Sequence, residues 1–303
     1  MSLLLWLLLW LFLAVGPVPV LAVGPHPVAG QGLPFHTPSA LTTAFEERGV
    51  RVFSMVQSRG DVTGAVFPLV VLPFAPHERL TTTVKLPLTY KRMRDPGGAS
   101  GGTYSEGGIG DLGLSAKFAF FVRNRFAGTT RVALILGASL PTGSTSAKMN
   151  DGLPAPRPLQ LGTGALAGGV TIVTTIVRNR WGLNAAVGHV RHGTDDGFHF
   201  GAATRYDLAL SIRVPEEVET IRTRTVQLYL EWNGSIQQQA TSDGAELVDT
   251  GGHVGYLSPG IQWVVLPQLL IEGSLQIPLL QDHNGAQPDY GVRPAIGARF
   301  LFF

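Results

Sequence analysis

Residues 108–122 read Gly108-Ile109-Gly110-Asp111-Leu112-Gly113-Leu114-Ser115-Ala116-Lys117-Phe118-Ala119-Phe120-Phe121-Val122. Successive side chains of an extended strand point to opposite faces. One face therefore collects Leu112, Leu114, Ala116, Phe118, Phe120 and Val122, and the other Asp111, Gly113, Ser115, Lys117 and Ala119. Such alternation predicts a sheet that is apolar on one side only. A soluble sandwich with Lys and Asp facing water satisfies it, and so does a barrel whose apolar side faces lipid. The rest of the chain chooses between them.

Composition favours lipid. Only 15% of the 303 residues are charged, against about 25% in soluble domains. A soluble protein of this size with so little charge would struggle to cover its surface. The 38 glycines also exceed the usual share of roughly 7%, without the Gly-X-Y period of collagen. The 23 basic and 21 acidic residues are scattered, for a formal charge of +2, with no basic stripe interleaved with aromatics. Nucleic acid is therefore not an expected partner. Cysteine is absent, which excludes a disulfide framework, thiolate metal sites and a Cys nucleophile.

Residues 3–15 are continuously apolar, then broken by Gly16-Pro17 and Pro19. A spanning helix needs about 20 apolar residues, so this run reads as the apolar region of a secretory signal peptide. Val20-Leu21-Ala22 supplies a small-residue cleavage site, although no Lys or Arg precedes the run. The expected organisation is a signal peptide over 1–22, a Pro- and Gly-rich linker or plug over 23–44, and a barrel over 45–303.

Twelve candidate strands follow, near residues 49–57, 62–74, 79–91, 109–122, 129–140, 161–177, 181–189, 198–213, 222–236, 253–265, 268–280 and 290–303. Phe198, Phe200, Ala202, Tyr206, Leu208, Leu210 and Ile212 share one face, opposite His199, Arg205, Asp207, Ser211 and Arg213. Val226, Leu228, Leu230, Trp232 and Ile236 oppose Gln227, Tyr229, Glu231, Asn233 and Ser235. Residues 62–74 are nearly all apolar, so their register stays open.

The links sort by parity. Residues 75–78, 123–128, 178–180, 215–221 and 266–267 are short, whereas 92–108, 141–160, 237–252 and 281–289 are longer and rich in Gly, Ser, Asp and Pro. Two further links on the long-loop side, 58–61 and 190–197, are also short. Short turns at one rim and long loops at the other, with an even strand count, are the layout of a bacterial outer-membrane barrel. An antiparallel transmembrane β-barrel of about 12 strands in the outer membrane is the predicted fold and location. The chain ends in Phe303, which lies off the apolar face of its strand, an imperfect form of the terminal aromatic that serves barrel assembly.

Gly108-Ile109-Gly110-Asp111-Leu112, Leu140-Pro141-Thr142-Gly143, Gln160-Leu161-Gly162-Thr163-Gly164 and Leu257-Ser258-Pro259-Gly260-Ile261-Gln262 carry a resemblance. They are similar to the outer-membrane proteins of the meta-pathway phenol-degradation, or transporter, family, and the likeness extends from about Phe45 to Phe303. The resemblance implies a channel that admits small hydrophobic or aromatic compounds, by analogy with long-chain fatty-acid channels. It transfers no binding residue. Lipid, a small-molecule permeant and the outer-membrane assembly machinery are the partners it implies.

The polar face is expected to line the lumen with Lys85, Asp111, Lys117, Arg205, Asp207, Glu231, Glu272 and Arg299. Mixed-sign charges there either fill the barrel as salt bridges or border a polar passage. Twelve strands fall between the side-chain-filled eight and the water-filled sixteen of known barrels, so a narrow pore is expected, with residues 23–43 available as a plug. The rival reading is a barrel without transport, either a scaffold or a hydrolase. His189, His192 and His199 lie near Asp195, Asp196 and Ser211 in sequence, but nothing in their spacing aligns a nucleophile with its base. No enzyme activity, cofactor, metal or nucleotide is expected.

Overall fold

The computed structural model describes residues 33–94, 103–149, 152–214 and 225–302. The predicted segments 1–22 and 215–221 lie outside the described residues, as does Phe303. A short helix, α1 (Ala44–Arg48), leads into β1 (Gly49–Arg59), β2 (Val62–His77), β3 (Leu80–Arg94), β4 (Thr103–Ile109), β5 (Leu112–Arg125) and β6 (Gly128–Leu140). Then come β7 (Ala167–Arg178), β8 (Trp181–His192), β9 (Thr194–Asp195), β10 (Phe198–His199), β11 (Ala203–Val214) and β12 (Val226–Gln237). The chain finishes with β13 (Thr241–Ser242), β14 (Ala245–Glu246), β15 (Gly252–Leu266), β16 (Leu269–His283) and β17 (Arg293–Leu301).

Every pairing is antiparallel, and β1, β2, β3, β5, β6, β7, β8, β11, β12, β15, β16 and β17 close into a ring of 12 strands through β2–β3 and β1–β17. Closure leaves no unpaired edge, which is what a sheet needs in lipid. Most ring strands have 11 to 16 residues, against the ~9–11 that cross a bilayer when tilted. Gly49 pairs with Leu301, so β1 begins and β17 ends at one rim, the one that also carries the turns at 78–79, 126–127, 179–180 and 267–268.

The exterior is apolar: Leu134, Ile172, Leu183, Leu210, Leu230 and Ile271 all stand exposed. Phe74, Phe121, Trp181, Trp263 and Phe300 add an aromatic belt at the short-turn rim, where a membrane interface favours such rings. The interior is polar instead. Thr175, Asn184, Glu231 and Ser258 are completely buried, and Gln262 and Glu272 nearly so.

Four expectations need correction. The face assigned to Val122 is wrong, because the β5–β6 register shifts between Ala119 and Phe121. The extra residue turns Val122 inward onto buried Ala119, Ala133 and Val173. Residues 161–166 are not part of β7, since Thr163 is drawn away to Asp111. Phe198 and Phe200 do not extend β11 into lipid. They pack edge to face, and His192 tilts against Phe200. The stretch 92–108 is not simply a loop, because β4 pairs with the far end of β3 from Leu88↔Ile109 to Arg94↔Thr103 and lifts the wall beyond the ring. Above the same rim, β9, β10, β13 and β14 form a four-stranded sheet from two loops.

Candidate functional site in the barrel interior

Residues 33–43 run inside the ring, and the wall supplies their backbone partners. Glu231 on β12 accepts the N–H groups of Phe35 at 2.9 Å, His36 at 3.1 Å and Thr37 at 2.7 Å. The same stretch turns its carbonyls to donors. Arg51 reaches Phe35 O at 3.0 Å, Arg299 reaches Pro34 O at 3.4 Å and Gln262 reaches Leu33 O at 3.0 Å. Behind them Glu272 joins Arg51 at 2.5 Å and Arg299 at 2.7 Å, with Gln262 donating a further bond at 2.7 Å. A buried carboxylate flanked by two guanidiniums and an amide has its acceptor sites filled, the condition under which buried charge persists.

From there the segment crosses to the opposite wall. Ala40 N donates to Thr175 Oγ1 at 2.8 Å, and Thr175 donates on to Asn184 at 2.6 Å. Lys117 on β5 donates to Leu41 O and to Glu46 of α1, the latter at 2.8 Å. Thr42 meets Thr81 at 3.2 Å. Leu41 is fully buried, in a cluster with Leu33 and Val177. The segment is thus pinned to both sides of the short-turn half. His36, part-buried in this segment, lines the cavity. Burial, then Arg51 and Arg293 nearby, lowers its pKa to about 3, so the ring is neutral at ordinary pH and bonds Ser274 at 3.1 Å.

Asp111 has a different task, at the long-loop end. Its Oδ1 accepts Gly143 N at 3.0 Å, and its Oδ2 accepts both Thr163 N at 2.8 Å and Thr163 Oγ1 at 2.7 Å. Thr142 Oγ1 closes the same knot, accepting from Leu112 N and donating to Gly110 O. Here the Gly143 and Gly162 backbones touch, and a Cβ on Gly162 would lie 2.3 Å from Gly143 O. Only glycine allows that approach. Gln160 ties down the rest of the loop through Ala147 and Ala155. Sequence reasoning placed Asp111 on the polar face but missed this anchoring role; its partners sit in two of the other Gly-rich motifs.

Between knot and segment lies a cavity of about 740 Å³. Its floor includes residues 33–39, and Val66, Leu69, Val71, Ile135 and Val190 contribute apolar surface. The β5–β8 wall offers Gly113, Gly137, Gly169 and Gly188. Lys85 and Arg205 also line it and remain exposed to it. Asp207 lines it too, and accepts a bond from Asn233 at 2.9 Å. The eight charged residues therefore divide. Glu231, Glu272, Arg299 and Lys117 hold the segment, Asp111 holds loops, and Lys85, Arg205 and Asp207 face open space.

The histidine cluster is dispersed. His189 bonds Thr204 at 3.0 Å, His199 bonds Gly193 O at 3.2 Å, and Asp195 pairs with Arg157 at 2.5 Å. Asp196, in the loop beyond, is 3.9 Å from Arg157. Ser211 lies toward the short-turn rim, where it bonds Gly182 O. Among the described residues, no group of His, Asp or Glu could hold a metal ion.

Comparison with known proteins adds four results. The family model described as "Putative MetA-pathway of phenol degradation" matches residues 72–282. The COG4313 outer membrane channel from Pseudomonas putida F1 is similar in structure, with a TM-score of 0.62 at 14% identity, over 84% of this chain and 96% of that one. The beta domain of the Bordetella autotransporter Brka gives a TM-score of 0.46 at 14% identity, over 84% of this chain and 98% of that one. At 14% identity the likeness to the COG4313 channel is one of fold. No curated protein matches in sequence.

Proposed function

The chain belongs to the family described as "Putative MetA-pathway of phenol degradation", and we propose that it is a channel that admits small compounds with an apolar or aromatic body across the outer membrane. The observation that carries this reading is the 740 Å³ cavity with its apolar patch, a volume within the roughly 300–1,000 Å³ of small-molecule sites. In this reading the cavity receives the compound from the long-loop side. Residues 33–43 close the way beyond and shift to let it pass.

The test is uptake. Cells whose outer membrane carries the protein should accumulate radiolabelled phenol faster than matched cells without it. Equal initial rates at equal amounts of folded barrel would count against transport and favour a scaffold role.

A further inference from the structure

Two cations lining the cavity form no ion pair among the described residues. Lys85 and Arg205 face it from β3 and β11, and among the described residues neither has a carboxylate within 4.0 Å or a hydrogen-bond partner. The charged groups near enough to act on Lys85 are Arg51 and Arg205, both cationic. The local carboxylates are engaged elsewhere: Asp111 by three loop donors, Glu46 by Lys117, and Asp207 by Asn233. Asp207, two residues along the same strand, is near enough for its charge and that of Arg205 to interact.

Each cation also stands beside a glycine. Lys85 pairs with Gly113, and Arg205 pairs with Gly188. A Cβ on Gly113 would touch the Lys85 stem at 3.2 Å, and one on Gly188 would strike Thr171 Oγ1 at 2.3 Å. Both side chains are exposed. Positive charges without an ion-pair partner attract an anion, and the apolar surface beside them accepts the rest of the molecule that carries it.

We propose that the cavity is a binding site for small organic acids: Lys85 and Arg205 take a carboxylate, and the patch of Val66, Leu69, Val71 and Ile135 takes the apolar body. This rests on the channel reading above and narrows it to an anionic class of permeant. Arg presents a planar fork that matches a carboxylate, and Lys adds a point charge from the facing wall. Inorganic anions would satisfy the charges and leave the apolar patch uncovered.

The probes are benzoate and its neutral counterpart benzyl alcohol, titrated calorimetrically against the full-length barrel in detergent. Wild-type protein should prefer benzoate. Lys85→Met together with Arg205→Gln should cut the ratio of the two affinities by about ten- to a hundredfold, the scale of losing hydrogen bonds to a charged group. Lys85→Arg should retain the preference. Heat-dependent gel migration verifies that each variant is folded, and only folded protein is compared. Equal affinity for the two probes, no benzoate binding, or an unchanged ratio in the double variant would each overturn the proposal. Phenol uptake by cells is scored separately, so a channel that fails this test is distinguished from a barrel that transports nothing.

Discussion

Glu231 accepts the backbone N–H of Thr37 at 2.7 Å, from a strand residue 194 positions away in the chain. With Phe35 and His36 donating to the same carboxylate, this contact fixes residues 33–43 across the barrel. Glu231→Gln keeps the shape but replaces one acceptor oxygen with a donor that faces N–H groups. The loss should be about 1–3 kcal/mol of segment docking. Limited proteolysis should cut within residues 33–43 faster in the variant, while its heat-dependent gel shift stays intact.

His36 predicts a pH dependence. Its imidazole is held neutral in the docked segment, with a pKa of about 3, whereas a released one titrates near the ordinary value of about 6.5. Below that ordinary value the released form takes up a proton and the docked form does not. Docking is therefore at full strength above about 6.5 and weakens as the pH falls toward 3, by about 2 kcal/mol at pH 5. Arg51, Arg293 and Glu272 act on the ring and remain in place in His36→Gln. Hydrogen exchange of residues 33–43 should rise on acidification in wild type more than in His36→Gln.

Leu230 lies next to Glu231 on β12 but is 49% exposed on the outer face, where Glu231 is fully buried. Leu230→Lys puts a charge into lipid at a cost of about 2–4 kcal/mol near the midplane. The amount of heat-modifiable barrel in membranes should fall, with little change in uptake per folded molecule.

Orientation follows from loop length, since long loops of such barrels face outward. An epitope inserted at Ser146, in the loop between β6 and β7, should be labelled on intact cells. One at Asn179, in the turn between β7 and β8, should stay hidden until the outer membrane is broken. Labelling of the Asn179 epitope on intact cells would reverse the assignment.

The ring was legible because alternation is a local signal. Leu228, Leu230 and Glu231 announce their faces from neighbours alone, and the turn residues between such runs gave the strand count. Where local pattern failed, a distant contact or a bulge had intervened. The extra residue near Phe120 flips Val122, and the pull of Asp111 on Thr163 ends β7 early. Polarity placed Lys85 and Glu231 on one kind of face, yet it cannot separate a charge that is paired from one left open. That difference lies in which residues stand opposite: backbone N–H groups for Glu231, and a glycine for Lys85. Residues 33–43 have no period to read, because most of their hydrogen-bond partners are supplied by the wall.

The chain has no cysteine, so an engineered pair can lock the segment without side reactions. Ser39 Oγ and Thr175 Oγ1 are 3.2 Å apart, which makes Ser39→Cys with Thr175→Cys the pair of choice. The central claim is that small compounds pass when residues 33–43 move. Phenol uptake by cells carrying the oxidised double variant should fall to the level of cells without the protein, and return when a reductant opens the disulfide. Uptake that is equally fast with the disulfide closed and open would contradict the account, because compounds would then be crossing without displacing the segment.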